Sequence, residues 1–364
     1  MYTLNYGPHH PSTHGVLRLK LTMDGERVAN CKPITGYLYR GVERLVESKS
    51  FISIIPYIDR LDYLAPVISE HAYMLALESL LQIEVPRRAL IIRTIFDELT
   101  RISCHVLGIG CATYDMGLLS LFLYGFEERE AIMKIFDAVT GHRMHLAYYI
   151  PGGVISDITD EHVMQIQLFI NQLPEYLDKV ERLALDSFIF KYRTKGVGVI
   201  SQDMAKGFGI SGVNLRSSGV NYDIRDIKPY GIYSELDFQS ILLEQSDCYN
   251  RTYLRYLEIK QSIKLINRCL DLLEPGRYNN GFNLLRNLRL PKHSIVYRSV
   301  ENSRGEFGIH LLINDNLLHP FRLHFKAPSF SIVNMLRELL VDCELADISI
   351  ILGSLDFIMG DCDR

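Results

Sequence analysis

The stretch that begins at Pro86 limits the possible architectures more than any other part of the chain. Proline is favoured at the opening of a helix, where its missing N–H costs nothing. Beyond it Ile91, Ile95, Leu99, Ile102 and Val106 recur at helical spacing and form an apolar stripe. Arg93, Asp97, Arg101 and His105 recur every four residues on another face of the same helix. The rest of that helix is nearly apolar. The charged row therefore either meets partner charges inside a bundle or forms a solvated face, and spacing alone leaves both open.

The flanking patterns place this helix in a mainly helical core. Residues 36 to 185 read as helical, with segments over 126–139, ended by Gly141, and over 160–183. Residues 195–235 are rich in glycine and β-branched residues and suggest loops with short strands. A long amphipathic helix is expected over 242–273, stopped by Pro275-Gly276, and shorter helices over 329–340 and 346–352. Alternation marks two β regions. Residues 16–35 alternate around Asp24-Gly25, a hairpin signal, and residues 293–326 alternate again. The fold class expected is α+β, a helical core with small β elements at the N- and C-terminal regions. Residues 1–35 form the N-terminal β element, and 36–364 a single structural unit with it.

Bulk properties exclude several functions. The 364 residues can hold one large or two ordinary domains, and 48% apolar with 23% charged content is globular. A net charge of −4 offers no field for holding nucleic acid. Seven scattered cysteines without a C-x-x-C pair suit reduced thiols and speak against disulfides or an iron–sulfur site in this chain. No stretch reaches the ~18–20 apolar residues of a membrane span. The first residues, Met1-Tyr2-Thr3-Leu4, read as neither signal nor transit peptide, so the chain is expected to start almost directly at a working loop.

That loop is Gly7-Pro8-His9-His10-Pro11-Ser12-Thr13-His14-Gly15. Proline and glycine shape it, and imidazoles able to pass protons near neutrality fill it. A purely structural loop is the alternative, and zinc suits it less because it holds no Cys or carboxylate. A second dense segment, Asp59-Arg60-Leu61-Asp62-Tyr63, is either a salt-bridged helix start or a proton-active tyrosine with tuning charges. Gly207-Phe208-Gly209-Ile210-Ser211-Gly212 matches G-x-G-x-x-G. It lacks a strand before it and a good helix after it, so its glycines are assigned to tight turns rather than a dinucleotide.

With these segments in view the chain resembles the 49-kDa subunit family of respiratory complex I, the proton-pumping NADH:ubiquinone oxidoreductase. The resemblance runs nearly end to end: GPHHPSTHG (7–15), YRGVERLVE (39–47), PYIDRLDY (56–63), FEEREAIMKIFDAVTGHRMH (126–145), PGGV (151–154), GFGISGVNLRSSG (207–219), DCYNR (247–251), RGEFG (304–308), KAPSF (326–330) and GDCDR (360–364). It implies a fold like the large subunit of nickel–iron hydrogenases. The two metal-binding C-x-x-C pairs of those enzymes are missing here, and the emptied cavity takes ubiquinone. By the same resemblance His14 and Tyr63 hydrogen-bond the quinone headgroup, Asp115 pairs with that histidine, and His10 supports the loop. Arg40, Arg60 and His145 approach a terminal [4Fe–4S] cluster held by the adjacent subunit. The chain itself is expected to bind no metal or cofactor, with ubiquinone as substrate.

The implied partners are the cluster-bearing quinone-site subunit, the 30-kDa-type subunit and the membrane-arm subunit at the quinone entrance. The implied location is the peripheral arm on the matrix side of the mitochondrial inner membrane, or the cytoplasmic side of a bacterial plasma membrane. Three departures stand out. His9 replaces the family's usual Gln, Ile150 replaces a usual arginine, and a family helix is reduced to about 279–290. The N-terminal extension of nuclear-encoded relatives is absent, which points to an organelle-encoded or bacterial origin.

Overall fold

The computed structural model describes residues 1–9, 13, 15–281, 288–316 and 318–364. Three antiparallel strands open the chain: β1 (Tyr2–Tyr6), β2 (Arg18–Asp24) and β3 (Arg27–Ile34), in the order β1-β2-β3. Leu19, Leu21 and Met23 point to one buried face while Lys20 and Asp24 are exposed, as a period of two requires. Gly25, with φ +62°, turns the hairpin. Strand β1 alternates Tyr2, Leu4 and Tyr6 with Thr3 and Asn5, a run of only five residues. It pairs with β2 through Leu4 and Leu21, so the loop 7–15 connects two neighbouring strands.

The helical core comprises α1 (Pro66–Leu81), α2 (Arg87–Tyr114), α3 (Leu119–Thr140), α4 (Asp160–Val180) and α5 (Cys248–Asp271). Pro86 sits immediately before the first helical residue. Helix α3 starts earlier than its sequence pattern suggests. Gly125 lies inside it, where a Cβ would stand 3.2 Å from Val106 and 3.3 Å from the Tyr176 hydroxyl. The glycine there serves close helix packing, and Gly117 (φ +82°) is the real break. Helix α5 starts later than expected, because the Asp247 side chain accepts the Asn250 N–H at 2.8 Å and caps it.

Short strands were the expectation within 195–235, but short helices stand there: Gln202–Gly207, Val213–Arg216 and Ile224–Ile227. Ser201 and Asp223 cap two of them, and buried charges pin the rest. Gly212 (φ +70°) lets this segment approach another turn, since its Cβ would stand 2.5 Å from the Gly305 Cα. A helix precedes the G-x-G-x-x-G match, which disposes of the dinucleotide reading. Residues 282–287, within the shortened helix suggested for 279–290, lie outside the described residues. Asn279 and Asn280 do not begin a helix; they pair with the backbone at Gly153 and Gly152.

A second antiparallel sheet follows: β4 (Ile295–Asn302), β5 (Gly305–Leu312) and β6 (Arg322–Lys326). Helices α6 (Pro328–Leu339) and α7 (Ile348–Leu355) and the final turn α8 (Met359–Cys362) end the chain. Two apolar clusters result. The larger joins α1–α5 to the second sheet, and the smaller joins the first sheet to α6, α7 and α8.

The charged row of α2 lies inside, not in solvent. Arg93, Asp97, Arg101 and His105 are all fully buried. Arg93 grips Glu78 of α1 at 2.6 Å, and Asp97 holds His71 at 2.6 Å. Arg101 bonds Glu98 at 3.2 Å and the Glu301 carbonyl at 2.7 Å. His105 meets Glu258 of α5 at 2.7 Å. Arg216 then joins Glu258 (2.6 Å), Glu301 (2.5 Å) and Asp223 (3.1 Å). Burial opposes the Glu258 charge, but Arg216 and His105 outweigh it and hold that carboxyl well below its ordinary range. Burial, with Asp223, raises Glu301 to about 7 against the pull of Arg216.

Removing one partner of such a network strands the rest. Arg216→Met is expected to destabilise by about 3–5 kcal/mol, because three buried carboxyls lose their common cation. Lys20→Ala on the exposed face of β2 should stay within about 0.5 kcal/mol. Thermal unfolding of the purified assembly carrying each variant checks both.

Candidate functional site

Four residues after Ile58, at the end of the short helix Ile55–Ile58, comes Asp62, and Tyr63 follows it. Asp62 is fully buried and clamped. Arg304 Nη1 donates to its two oxygens at 3.0 and 3.2 Å, Asn302 donates at 3.1 Å, and the Leu64 and Ala65 amides donate at 3.3 Å. Arg304 also reaches Asp356 at 3.3 Å. Tyr63 itself is half-buried, and among the described residues none hydrogen-bonds its hydroxyl. Burial raises its pKa; Arg304 opposes this, while Asp62, Asp356 and Asp361 add to it. The phenol therefore keeps its proton until something accepts it.

Three cationic or imidazole side chains converge on the preceding turn. Arg40 donates to the Arg60 carbonyl at 2.7 Å, and Arg60 to the Pro56 carbonyl at 2.7 Å. His145 Nδ1 donates to the Asp59 carbonyl at 3.2 Å. Arg40 and Arg60 are exposed and His145 is half-buried, so this face presents positive charge outward.

Asp115 caps the C-terminal end of α2 and is half-buried. Burial raises the Tyr6 hydroxyl and pushes the Cys111 thiol up to about 12, and the Asp115 charge adds to both. Asp356 and Arg304 also act on Cys111, so that residue stands electrostatically between Asp115 and the Tyr63 cluster. Cys111 is the described group on which both Asp115 and the Arg304–Asp356 pair act.

His10 and His14 lie outside the described residues, as do Pro11 and Ser12. The frame of their loop is described. Thr13 Oγ1 bridges the Gly15 and His9 carbonyls at 2.5 and 3.0 Å. A Cβ on Gly7 would stand 2.2 Å from the Leu17 carbonyl oxygen, and one on Gly15 would stand 2.7 Å from Met359. The final turn α8 thus packs on the end of the histidine loop. On its other side Gly360 packs on the Asp59–Tyr63 segment, where a Cβ would stand 2.5 Å from the Leu61 carbonyl oxygen. One four-residue turn separates the two segments singled out in the sequence.

Sequence reasoning missed the groups that hold the site. Arg304, Asp356 and Asp361 belong to family motifs or sit beside them, but nothing local distinguishes a clamp from a surface charge. A buried carboxyl pair, Asp59 and Glu70, was missed too. Ala147 N–H donates to Asp59 at 3.2 Å and Tyr149 N–H to Glu70 at 3.0 Å, and each acid retains one oxygen with no partner. Burial raises both, and their mutual repulsion adds to it at Glu70, so the two do not ionise together. Among the described residues no group of three or more His, Cys, Asp or Glu is arranged to hold a metal ion. A cavity of about 700 Å³ opens elsewhere, between Arg27, Tyr192, Arg193 and Asp347, and shares none of these residues.

Comparison with known proteins agrees over the full length. A family described as "Respiratory-chain NADH dehydrogenase, 49 Kd subunit" matches residues 115–285 and 279–364. An NADH-quinone oxidoreductase subunit of Methylobacillus flagellatus is 39% identical, covering 100% of this chain and 99% of the relative. The corresponding NADH-quinone oxidoreductase subunit of Rickettsia rickettsii (strain Iowa) is 40% identical, with 100% and 98% covered. The NADH-ubiquinone oxidoreductase 49 kDa subunit of Pylaiella littoralis is 38% identical, with 100% and 96% covered.

The wedge of α8 can be tested by filling it. Gly360→Ala is expected to push α8 from the Asp59–Tyr63 segment and to slow NADH:quinone turnover in the assembled complex. Gly25→Ala, whose Cβ meets nothing within 4 Å, should leave turnover unchanged. Steady-state rates of the two variants check this.

Proposed function

The chain belongs to the family of the respiratory-chain NADH dehydrogenase 49-kDa subunit, and on that premise we propose that it forms the quinone-reducing site of the complex. It is a core subunit of an NADH:quinone oxidoreductase, and its partners are other subunits of that complex. One observation carries the site: the cations Arg40 and Arg60, with His145, bond to the turn that ends three residues before Tyr63. Electrons and protons would meet there.

Reducing a quinone takes two electrons and two protons. In this reading the electrons come from a [4Fe–4S] cluster of the adjacent subunit, seated against Arg40, Arg60 and His145, whose positive charge favours its reduced form. His14 and Tyr63 hydrogen-bond the headgroup and donate protons to the oxygens that gain charge. Asp115 takes up the charge change at His14, and His10 supports the loop. The chain binds no metal or cofactor of its own, and ubiquinone is its substrate.

The proposed architecture is that of a nickel–iron hydrogenase large subunit whose metal cavity now admits quinone. Its first 35 residues and residues 36–364 work as one unit, consistent with the apolar cluster shared by the first sheet and α6–α8. The neighbours are the cluster-bearing subunit, the 30-kDa-type subunit and the membrane-arm subunit at the quinone entrance. No helix among the described residues is long and apolar enough to cross a membrane. A place in the peripheral arm fits this, on the matrix side of the mitochondrial inner membrane or the cytoplasmic side of a bacterial one.

Tyr63→Phe keeps the pocket's shape and deletes one hydrogen bond and one proton donor. It should raise the apparent KM for quinone by the worth of one bond, about 0.5–1.5 kcal/mol, and lower turnover, with assembly intact. His14→Ala should lose most quinone reduction, on the ~10²–10⁴-fold scale of acid–base groups, while NADH still reduces the terminal cluster. His9→Ala should cost far less. Quinone turnover and cluster reduction, measured side by side in the three variants, decide the assignment. Wild-type kinetics in Tyr63→Phe, or greater damage from His9→Ala, would overturn it.

A further inference from the structure

Among the described residues, Asp361 is the buried acid beside Tyr63 that no cation or amide clamps. It is fully buried, no cation or amide bonds either of its side-chain oxygens, and the Ser329 hydroxyl is the one donor that faces it. Its neighbours contrast with it. Asp62 is clamped by Arg304 and Asn302, and Asp356 is reached by Arg304 at 3.3 Å and Arg255 at 3.8 Å. Asp363 accepts the Gly36 and Leu38 amides at 2.8 and 2.9 Å. A dry carboxyl with no cation or amide bonded to it is costly to keep unless it has work to do.

Its position suggests that work. Asp361 belongs to α8, which is wedged between the end of the histidine loop and the Asp59–Tyr63 segment. On the outer side its chain neighbours Cys362, Asp363 and Arg364 line a surface cavity of about 340 Å³, together with Glu43 and Arg322. Arg364 joins the two sides: it bonds Glu43 at 3.1 Å and donates to the Asp361 carbonyl at 3.4 Å. The turn that carries the acid thus borders a solvent-facing mouth through residues 362–364 and the Asp59–Tyr63 segment through Gly360, and the Asp361 charge acts on Tyr63.

We infer that Asp361 is the acid that reprotonates Tyr63 during turnover and refills from the cavity at Asp363 and Arg364. The inference rests on the quinone-site reading and names the proton supply of that site. The step balances as follows. The quinone takes two electrons from NADH through the complex. The Tyr63 O–H bond breaks as its proton passes to a quinone oxygen. The resulting phenolate takes the proton of the Asp361 carboxylic acid, and the carboxylate regains one from water in the cavity. The second proton comes from the other headgroup ligand. Asp361 touches no substrate and acts through Tyr63.

Burial favours the protonated form of Asp361. Burial, and then Asp62, raise its pKa to about 8, against the opposing pull of Ser329, Arg304 and Arg364. Among the described residues, Tyr63 and Cys362 are further titratable groups on which its charge acts. An acid with a raised pKa holds its proton below that value and loses it above. Quinone turnover should therefore fall as pH rises through this range.

The test uses the assembled complex in membrane vesicles, with NADH as donor and a short-chain ubiquinone analogue as acceptor. Asp361→Asn matches the side chain in size and carries no transferable proton. It should lower quinone turnover about tenfold or more and abolish the alkaline limb near pH 8. NADH:ferricyanide activity, which reports upstream electron flow, should be unchanged. Asp361→Glu should restore both turnover and the limb. An Asp361→Asn complex with wild-type turnover and pH profile overturns the inference. If that variant does not assemble, the wild-type profile decides, and a rate flat through pH 8 overturns it. Tyr63→Phe run in parallel separates the two readings. If it is impaired while Asp361→Asn is normal, only the proton supply is wrong; if it too is normal, the quinone site is wrong.

Discussion

Everything else in this molecule depends on a set of charges that never see water. Arg216 holds Glu258, Glu301 and Asp223 at once, and Glu258 in turn holds His105. These residues come from α2, the 213–227 segment, α5 and β4, so one contact set fixes elements far apart in sequence. Buried ion pairs contribute little net stability against apolar replacements of the same shape. What they supply here is position, because each is satisfied in one arrangement only. A slip of α5 by one turn would break the His105–Glu258 and Arg216–Glu258 bonds together.

The same logic reaches the candidate site. Arg304, at the turn between β4 and β5, carries one charge to Asp62 and Asp356. Asp62 uses its remaining capacity on the Leu64 and Ala65 amides, which start α1. Tyr63 is therefore held by its neighbours on both sides while its own hydroxyl stays available. A side chain meant to bond a ligand has to be positioned by contacts it does not make itself.

The sequence announced the central helix clearly, because the period of 3.6 is legible wherever apolar residues dominate. It could not say where the charged row faced. Arg93, Asp97, Arg101 and His105 would look the same against solvent, and only Glu78, His71, Glu301 and Glu258 decide the matter, from 15 to 200 residues away. The 195–235 segment misled for the same reason. Its β-branched residues favour strands locally, but the caps at Ser201 and Asp223 and the buried Arg216 and Arg225 impose short helices. Strand β1 was legible in the alternation of Tyr2, Leu4 and Tyr6 with Thr3 and Asn5, but the run is short and lies beside the denser histidine loop. At the site, Tyr63 and the histidine loop stood out by density of chemistry, while Asp361 did not. A carboxyl there becomes distinctive only once it is known to be buried and unclamped.

Charge is distributed unevenly around Tyr63, and the unevenness has a chemical consequence. Toward Pro56–Arg60 the groups are Arg40, Arg60 and His145, which carry or can carry positive charge and open outward. Toward the C-terminal end the groups are the buried Asp62 and Asp361 and the half-buried Asp356, with the guanidiniums of Arg304 and Arg255. Asp62 and Asp356 are each met by a guanidinium, whereas Asp361 has none bonded to it, and burial with the nearby Asp62 raises its pKa. Electron transfer to a bound acceptor raises negative charge between these two faces. In the proposed function the cationic face stabilises that charge on the side where electrons would arrive, and the acidic face neutralises it by giving up a proton. In the proposed function the two faces therefore divide one reaction between them, and Tyr63 stands where they meet.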